Sequence, residues 1–374
     1  MQLYLIIYLI PIILCLFDTK KTSNSNKKGI VIFLIITLTL FRGLRWETGT
    51  DWEQYYDVFY DSKWNNIFLL MRATGTPMEF GYVFFNVFVK SIYDSYSLFL
   101  IISNLFILIS YYSFSFKYSK YPIITFTTIL FSTNFFPVRQ DLAISILLYA
   151  YHFLIEKKTK HFFILIFIAT CIHNASFVFG ILYFLRKSHF SYLKTYTILI
   201  SCIVFSTLAN KVISFIISYS TFLPPVIAVK LHAYSNLEAT DGLSQKGIAA
   251  TILVFIYVTF SIFYTNYLKK KKEISKLQHV NLFLTSTIIL YASQFFFVGN
   301  LIYFSRLGTC FSIVNNILLV NALILCCNII NKKLRKRNIA LIPPILIVIL
   351  FFLFRFSRMI TLYPELHFPY HSIL

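Results

Sequence analysis

Charge is scarce in this chain, and acid is the scarcer sign. Only 13% of the 374 residues are charged, and Asp and Glu together number 14. Soluble domains usually carry about a quarter of their residues as charged side chains, so a water-soluble fold is excluded. The catalytic signatures of soluble enzymes are also missing. The chain has no Walker motif, Gly-rich dinucleotide loop, HExxH or GxSxG elbow. No acid pair has the DxD form that holds a metal and a nucleotide sugar. Cys15, Cys171, Cys202, Cys310, Cys326 and Cys327 lie in apolar runs without metal or redox spacing. No metal and no cofactor are therefore expected. A reaction here draws on a donor already activated in the membrane, without ATP. The first apolar run, residues 3–17, lacks a basic start and a small-residue cleavage site and is read as an anchor.

Apolar sequence is abundant: 58% of the residues are hydrophobic. Runs of membrane-spanning length recur throughout and are joined by short polar loops. The expectation is one all-α, polytopic membrane domain over residues 1–374. Its outer-face loops are near 45–94 and 219–247. Spans are expected near 3–17, 29–44, 95–115, 122–136, 138–155, 196–218, 248–268, 278–298, 305–327 and 339–360. Residues 161–185 form an out-and-back helical pair broken at "IHNAS", which brings the total to about twelve crossings. Residues 80–93 are read as interfacial or re-entrant.

The net charge of +20 does not point to nucleic acid, because the lysines are spread over several short loops. Placing those loops in the cytoplasm follows the positive-inside rule and puts both termini outside. Nineteen of the twenty-four lysines then lie inside, but seven of the ten arginines fall at or near the outer face. They are Arg42, Arg45, Arg72, Arg139, Arg306, Arg355 and Arg358. Arginine at membrane depth costs about 2.5–3.5 kcal/mol on insertion scales, so a counter-charge is expected. Guanidinium binds phosphate as a bidentate fork, and an anion such as a lipid phosphate meets the requirement. Pairing with Asp51, Glu53, Asp57 or Glu79, or snorkelling to headgroups, meets it as well.

The outer face gathers the remaining candidates. In "FFPVRQDLAISILLYAYHFL", Pro137 suits a first helical turn, and Arg139 and Gln140 stand at a helix start that favours anions. His173 lies at the break of the helical pair and is a candidate general base. Tyr303 precedes Arg306 by three residues at the outer start of a span. Asp51 and Glu79 lie among clustered Tyr and Trp residues, a composition that suits sugars.

The order "FRGLRWETGTDWEQYYDVF", "MEFGYVFFNVF", "FSTNFFPVRQDLAISILLYAYHFLIEKK", "IATCIHNASF", "YFSRLGTCF" and a terminal "FPYH" resembles the EpsG-like family. These are polytopic proteins of exopolysaccharide, capsule and O-antigen clusters, grouped with Wzy-type repeat-unit polymerases. One departure is Trp52, where the family usually has Tyr. The resemblance implies a GT-C-like membrane glycosyltransferase in the bacterial cytoplasmic membrane. It implies glycan transfer from undecaprenyl pyrophosphate to another lipid-linked repeat unit, with a chain-length regulator as a further partner. On that carry-over, Arg139 and Arg306, with Arg42 or Arg45, hold the pyrophosphate. His173, Asp51 or Glu79 positions or deprotonates the acceptor. A flippase or transporter of the same lipid and a membrane acyltransferase remain the alternatives. The first should show repeated halves, and no convincing repeat is visible. The second needs a His reached from the acyl-donor side, whereas His173 is assigned to the other side.

On this reading, Arg139→Ala or Arg306→Ala leaves the protein inserted but yields single-repeat glycan. Normal chain-length ladders in both variants, seen on a gel of lipid-linked glycan, refute the assignment.

Overall fold

The computed structural model describes residues 2–19, 21–49, 51–71, 78–133, 135–136, 138–218, 248–297, 299–334, 342–362 and 364–373. The described residues are almost all helical. Four helices are long and apolar enough to cross a membrane: Asn24–Gly43, Tyr96–Tyr118, Ala250–Lys270 and Ser305–Ile329. Shorter apolar helices accompany them, among them Phe80–Ile92, Pro122–Ser132 and Thr159–Ile172.

The chain divides into two compact units. The first holds Met1–Phe177 and Leu323–Leu374, the second Val178–Ala322. In the first unit, α1 (Gln2–Leu14), α2 (Asn24–Gly43), α3 (Trp52–Asp61), α4 (Ile67–Met71), α5 (Phe80–Ile92), α6 (Tyr96–Tyr118), α7 (Pro122–Ser132), α8 (Arg139–Ile155) and α9 (Thr159–Ile172) follow one another. The only strands among the described residues are β1 (Arg45–Trp46) and β2 (His371–Ser372), which pair antiparallel. In the second unit, α10 (Ile181–Leu185), α11 (Tyr192–Ser218), α12 (Ile248–Lys270) and α13 (Ile274–Phe296) precede a 3₁₀ stretch, Gly299–Phe311. The helices α14 (Ser312–Leu334) and α15 (Ile342–Leu362) complete the chain. Buried tyrosines tie the second unit together: the Tyr257 hydroxyl donates to the Asn315 carbonyl at 2.8 Å, and the Asn315 amide donates to Tyr291 at 3.3 Å.

Helix direction gives the first unit two chemically distinct ends. Loops of three residues join α6 to α7 and α8 to α9, so each pair is antiparallel. The first turn of α2 shares a cleft with the last turn of α6, lined by Asn24, Lys28, Lys117 and Lys120. At 1.5 Å per residue, the 20 residues of α2 then carry the chain about 30 Å to the opposite end. There it meets Gly43, packed on Ile101 of α6. Lys27, Lys28, Lys117, Lys120, Lys157, Lys158 and Lys160 therefore share one end, and Arg42, Arg45, Glu79, Arg139 and His173 the other.

Three boundaries differ from the sequence reading. The helix expected over 29–44 begins at Asn24, because the Ser23 hydroxyl caps it by accepting from the Asn26 amide at 3.1 Å. Lys27 and Lys28 thus lie inside the helix rather than in the loop. The span expected near 305–327 is matched by Ser305–Ile329, but its first residues are wound as 3₁₀ helix: the α-helix begins at Ser312, and Arg306 sits in the preceding 3₁₀ stretch. Local bonds from Thr309 Oγ1 to the Arg306 carbonyl and from Cys310 Sγ to the Leu307 carbonyl accompany that tighter winding. The 45–94 region, expected as an outer-face loop with an apolar segment at 80–93, contains α3 and α4 as well as α5 at that segment. Residues 219–247, Arg72 and Pro137 lie outside the described residues.

One ion pair secures the lysine end. Asp18 is fully buried; its Oδ1 lies 2.8 Å from Lys27 Nζ. Its Oδ2 accepts from the Ile123 and Ile124 amides at 2.8 and 3.0 Å. A carboxylate between α1 and α2 thereby caps α7, satisfying free amides that a helix start would otherwise bury. Breaking a buried pair by removing one partner typically costs about 3–5 kcal/mol. Asp18→Ala should lower the unfolding temperature of the purified protein markedly, and adding Lys27→Met should recover part of the loss. An unchanged unfolding temperature in Asp18→Ala contradicts this account.

Candidate active site

The arginine end gathers its chemistry around one carboxylate. Glu79 stands just before α5 with an extended backbone (φ −72°, ψ 146°) and no capping bond of its own, so its side chain is available to other elements. Oε2 accepts from Nη1 of Arg139, the first residue of α8, at 2.8 Å. Oε1 accepts from the Asn174 amide at 3.3 Å and lies 3.8 Å from His173 Nδ1. His173 ends α9: its own amide donates to the Ala169 carbonyl, and its extended backbone stops the helix. Three helix ends thus converge on Glu79, which is 12% exposed, with Arg139 at 21%. Tyr55 of α3 completes the wall, its ring centroid 6.0 Å from the Arg139 guanidinium carbon and 5.6 Å from the Tyr82 ring.

The convergence depends on a close helix contact. A Cβ on Gly81 would stand 2.8 Å from the Cys171 carbonyl oxygen. Only glycine lets the first turn of α5 meet the last turn of α9 and bring Glu79 to His173. Beside this contact runs an apolar groove of about 440 Å³, lined by Phe84, Phe85, Phe106, Leu142, Ile146 and Phe167 among others.

The other predicted residues fall into distinct places. Arg42 and Arg45 lie at the same end but deeper, 0% and 2% exposed. Neither makes an ion pair among the described residues. Among the described residues, no guanidinium nitrogen of Arg42 makes a hydrogen bond of normal geometry, although the Tyr8 hydroxyl lies beside it. The Tyr8 hydroxyl lies within electrostatic reach of Arg42 yet donates to the Phe135 carbonyl at 3.3 Å. Arg45 stacks on Phe136, 4.5 Å from guanidinium carbon to ring centroid. Burial pulls its pKa below the usual arginine range, with Arg42 adding to the effect and Tyr96, Tyr4 and Tyr370 opposing it. Gly49 holds a left-handed backbone (φ +109°), and a Cβ there would stand 2.9 Å from Arg45 Nη1.

Asp51 is exposed at the start of α3 and lies within electrostatic reach of Tyr55, which Arg139 and Glu79 also reach. Gln140 is half-buried in the first turn of α8. Beside it, Asp141 is buried and accepts from the Tyr111 hydroxyl at 3.1 Å. Arg306 is exposed in the second unit, and the Tyr303 side chain lies outside the described residues. Sequence reasoning did not find the buried tyrosines around the arginine pair, Tyr4, Tyr8 and Tyr370. In a chain with 26 Tyr, no single ring stands out; the terminal "FPYH" was the one available signal.

An all-helical, multi-pass membrane protein with paired and unpaired arginines at one end of its bundle is the class these observations define. The chain belongs to the EpsG family, whose model matches residues 28–372, nearly its whole length. This is a family of polysaccharide polymerases, glycosyltransferase-like in kind. No curated protein and no solved structure matches the chain.

Gly81→Ala tests the close contact. Overpacking typically costs about 1–3 kcal/mol, so the variant should lower the unfolding temperature and impair polysaccharide elongation. Gly29→Ala, where a Cβ meets nothing within 4 Å, should leave both unchanged. Full elongation by Gly81→Ala would show that the α5–α9 approach does not set the site.

Proposed function

We propose that this chain polymerises lipid-linked oligosaccharide repeat units at the outer face of the bacterial cytoplasmic membrane, on a GT-C-like framework. The donor glycan leaves undecaprenyl pyrophosphate and joins a hydroxyl of an acceptor repeat. The observation that carries this reading is the Glu79 carboxylate held between Arg139 and His173.

The chemistry assigns each group a task. The acceptor O–H loses its proton to the Glu79–His173 pair as its oxygen bonds to the sugar's anomeric carbon. The bond from that carbon to the pyrophosphate oxygen breaks, and its electron pair leaves with the pyrophosphate. Arg139, committed to Glu79 at 2.8 Å, orients the base. Arg42 and Arg45 bring positive charge for the departing pyrophosphate, the role of preorganised electrostatic stabilisation. Gln140, Asp51 and Tyr55 are contacts for the sugars, and the apolar groove receives part of the polyprenyl tail.

Glycan from a strain lacking the protein, complemented with wild type or variants at equal membrane levels, tests the proposal. Loss should give capped single repeats, and wild type should restore the ladder. Glu79→Gln and His173→Ala should each lower elongation roughly a hundredfold or more, the scale of general-base catalysis. Ladders of normal length in both variants overturn the catalytic assignment. Unprocessed lipid-linked repeats retained on the cytoplasmic side indicate a flippase instead.

A further inference from the structure

Arg42 and Arg45 pose a physical problem that the Glu79 cluster does not solve. Two cations lie 0% and 2% exposed. Among the described residues, Arg42 has only the neutral Tyr8 hydroxyl beside it and no hydrogen bond of normal geometry, and neither arginine has a carboxylate partner. A buried charge without a partner is strongly unfavourable, and it persists where a ligand supplies the missing charge. Guanidinium favours planar oxyanions, above all phosphate.

What covers Arg45, the outer member of the pair, is the C-terminal segment, residues 364–373; Arg42 lies behind it beside Tyr8 and Tyr111. The Tyr4 hydroxyl donates to the His367 carbonyl at 3.0 Å. The Gly49 amide donates to the Leu366 carbonyl at 2.7 Å, and the Ile373 amide to the Leu44 carbonyl at 3.0 Å. The His371 amide donates to Thr48 Oγ1 at 3.2 Å. Trp46 opposes His371 across the β1–β2 pair, and Arg45 opposes Ser372. Tyr370 stacks on Phe41 at 4.7 Å and donates its hydroxyl to the Phe41 carbonyl. Burial pushes that hydroxyl up to about 12, so it remains a donor at physiological pH. The His367 ring lies parallel to Phe136 at 6.2 Å, and Phe136 in turn carries Arg45.

The segment is thin. Pro364, Glu365, Leu366, Pro369, His371, Ser372 and Ile373 are exposed on its outer side, and each strand is two residues long. An isolated two-stranded pairing is marginal, and few buried contacts mean a low cost of local opening.

We propose that Arg42 and Arg45 form a phosphate-binding site closed by this C-terminal strap, which must lift before the ligand can enter. The proposal rests on the polymerase reading only for the identity of the phosphate ester, which there is the lipid pyrophosphate. Closure over the bound group would exclude water from it and strengthen the electrostatics at the leaving oxygen.

The register supplies a lock. Directly opposed residues of an antiparallel pair have Cα atoms roughly 4.5–5.5 Å apart, within disulfide range. The test is inorganic pyrophosphate binding, followed calorimetrically on the purified full-length protein. Wild type should bind. Trp46→Cys with His371→Cys, oxidised, should not bind until dithiothreitol opens the bridge. Each single cysteine variant should bind under both conditions. Arg42→Met should lose affinity by roughly tenfold or more while its unfolding temperature stays level or rises, because it removes an uncompensated buried charge. Equal binding by locked and reduced protein overturns the lid. No binding by wild type, or full affinity in Arg42→Met, overturns the site. Binding and gating without glycan elongation in cells would retain this proposal and remove the polymerase reading.

Discussion

A half-buried carboxylate where three helix ends meet is stabilised by a cation, and Glu79 has found one on another helix. Its bond to Arg139 at 2.8 Å joins the start of α5 to the start of α8. Its second oxygen reaches the Asn174 amide and His173 at the end of α9. Each of these ends would otherwise bury unsatisfied polar groups in a low-dielectric surrounding, where the penalty is greatest. The arrangement of α5, α8 and α9, and hence the position of the histidine, depends on this one acid. Gly81 is the steric condition for it.

The two ends of the first unit handle buried charge differently. At the lysine end, Asp18 and Lys27 neutralise each other, and Asp18 also satisfies two amides of α7. That is a structural use of charge: each group has its partner within the fold. At the arginine end, Arg139 is paired, but among the described residues Arg42 has no carboxylate partner. Natural proteins tolerate such local inconsistency mainly at functional sites, where a ligand completes what the fold leaves open. The strap of residues 364–373 makes the contrast sharper. It covers Arg45 with backbone hydrogen bonds and aromatic rings, and among the described residues it brings no counter-ion.

Much of the organisation was readable from residue types. The low charge and long apolar runs required a helical membrane protein, since only helices and closed barrels satisfy their backbone in lipid. The separation of lysine from arginine foretold two chemically different ends. The break at "IHNAS" appears as the end of α9 at His173, and "VRQD" as the start of α8 at Arg139. The bounds of α2 and α14 were less legible. The Ser23 cap and the 3₁₀ winding before Ser312 are local choices that a hydropathy run does not encode. The helices α3 and α4 were hidden in a region whose aromatics and acids read as loop, whereas α5 falls on the apolar segment expected at 80–93.

The sequence by itself determined the class of protein, the family order of motifs and the set of charged residues available for chemistry, because composition and spacing are properties of the chain alone. Only the tertiary structure decided how those charges are used. Arg139 and Glu79 are sixty residues apart, and Arg45 is covered by a strap from the far end of the chain. Pairing and burial depend on which helix ends meet in space. That is why one arginine became the partner of an acid and another, buried, has none among the described residues.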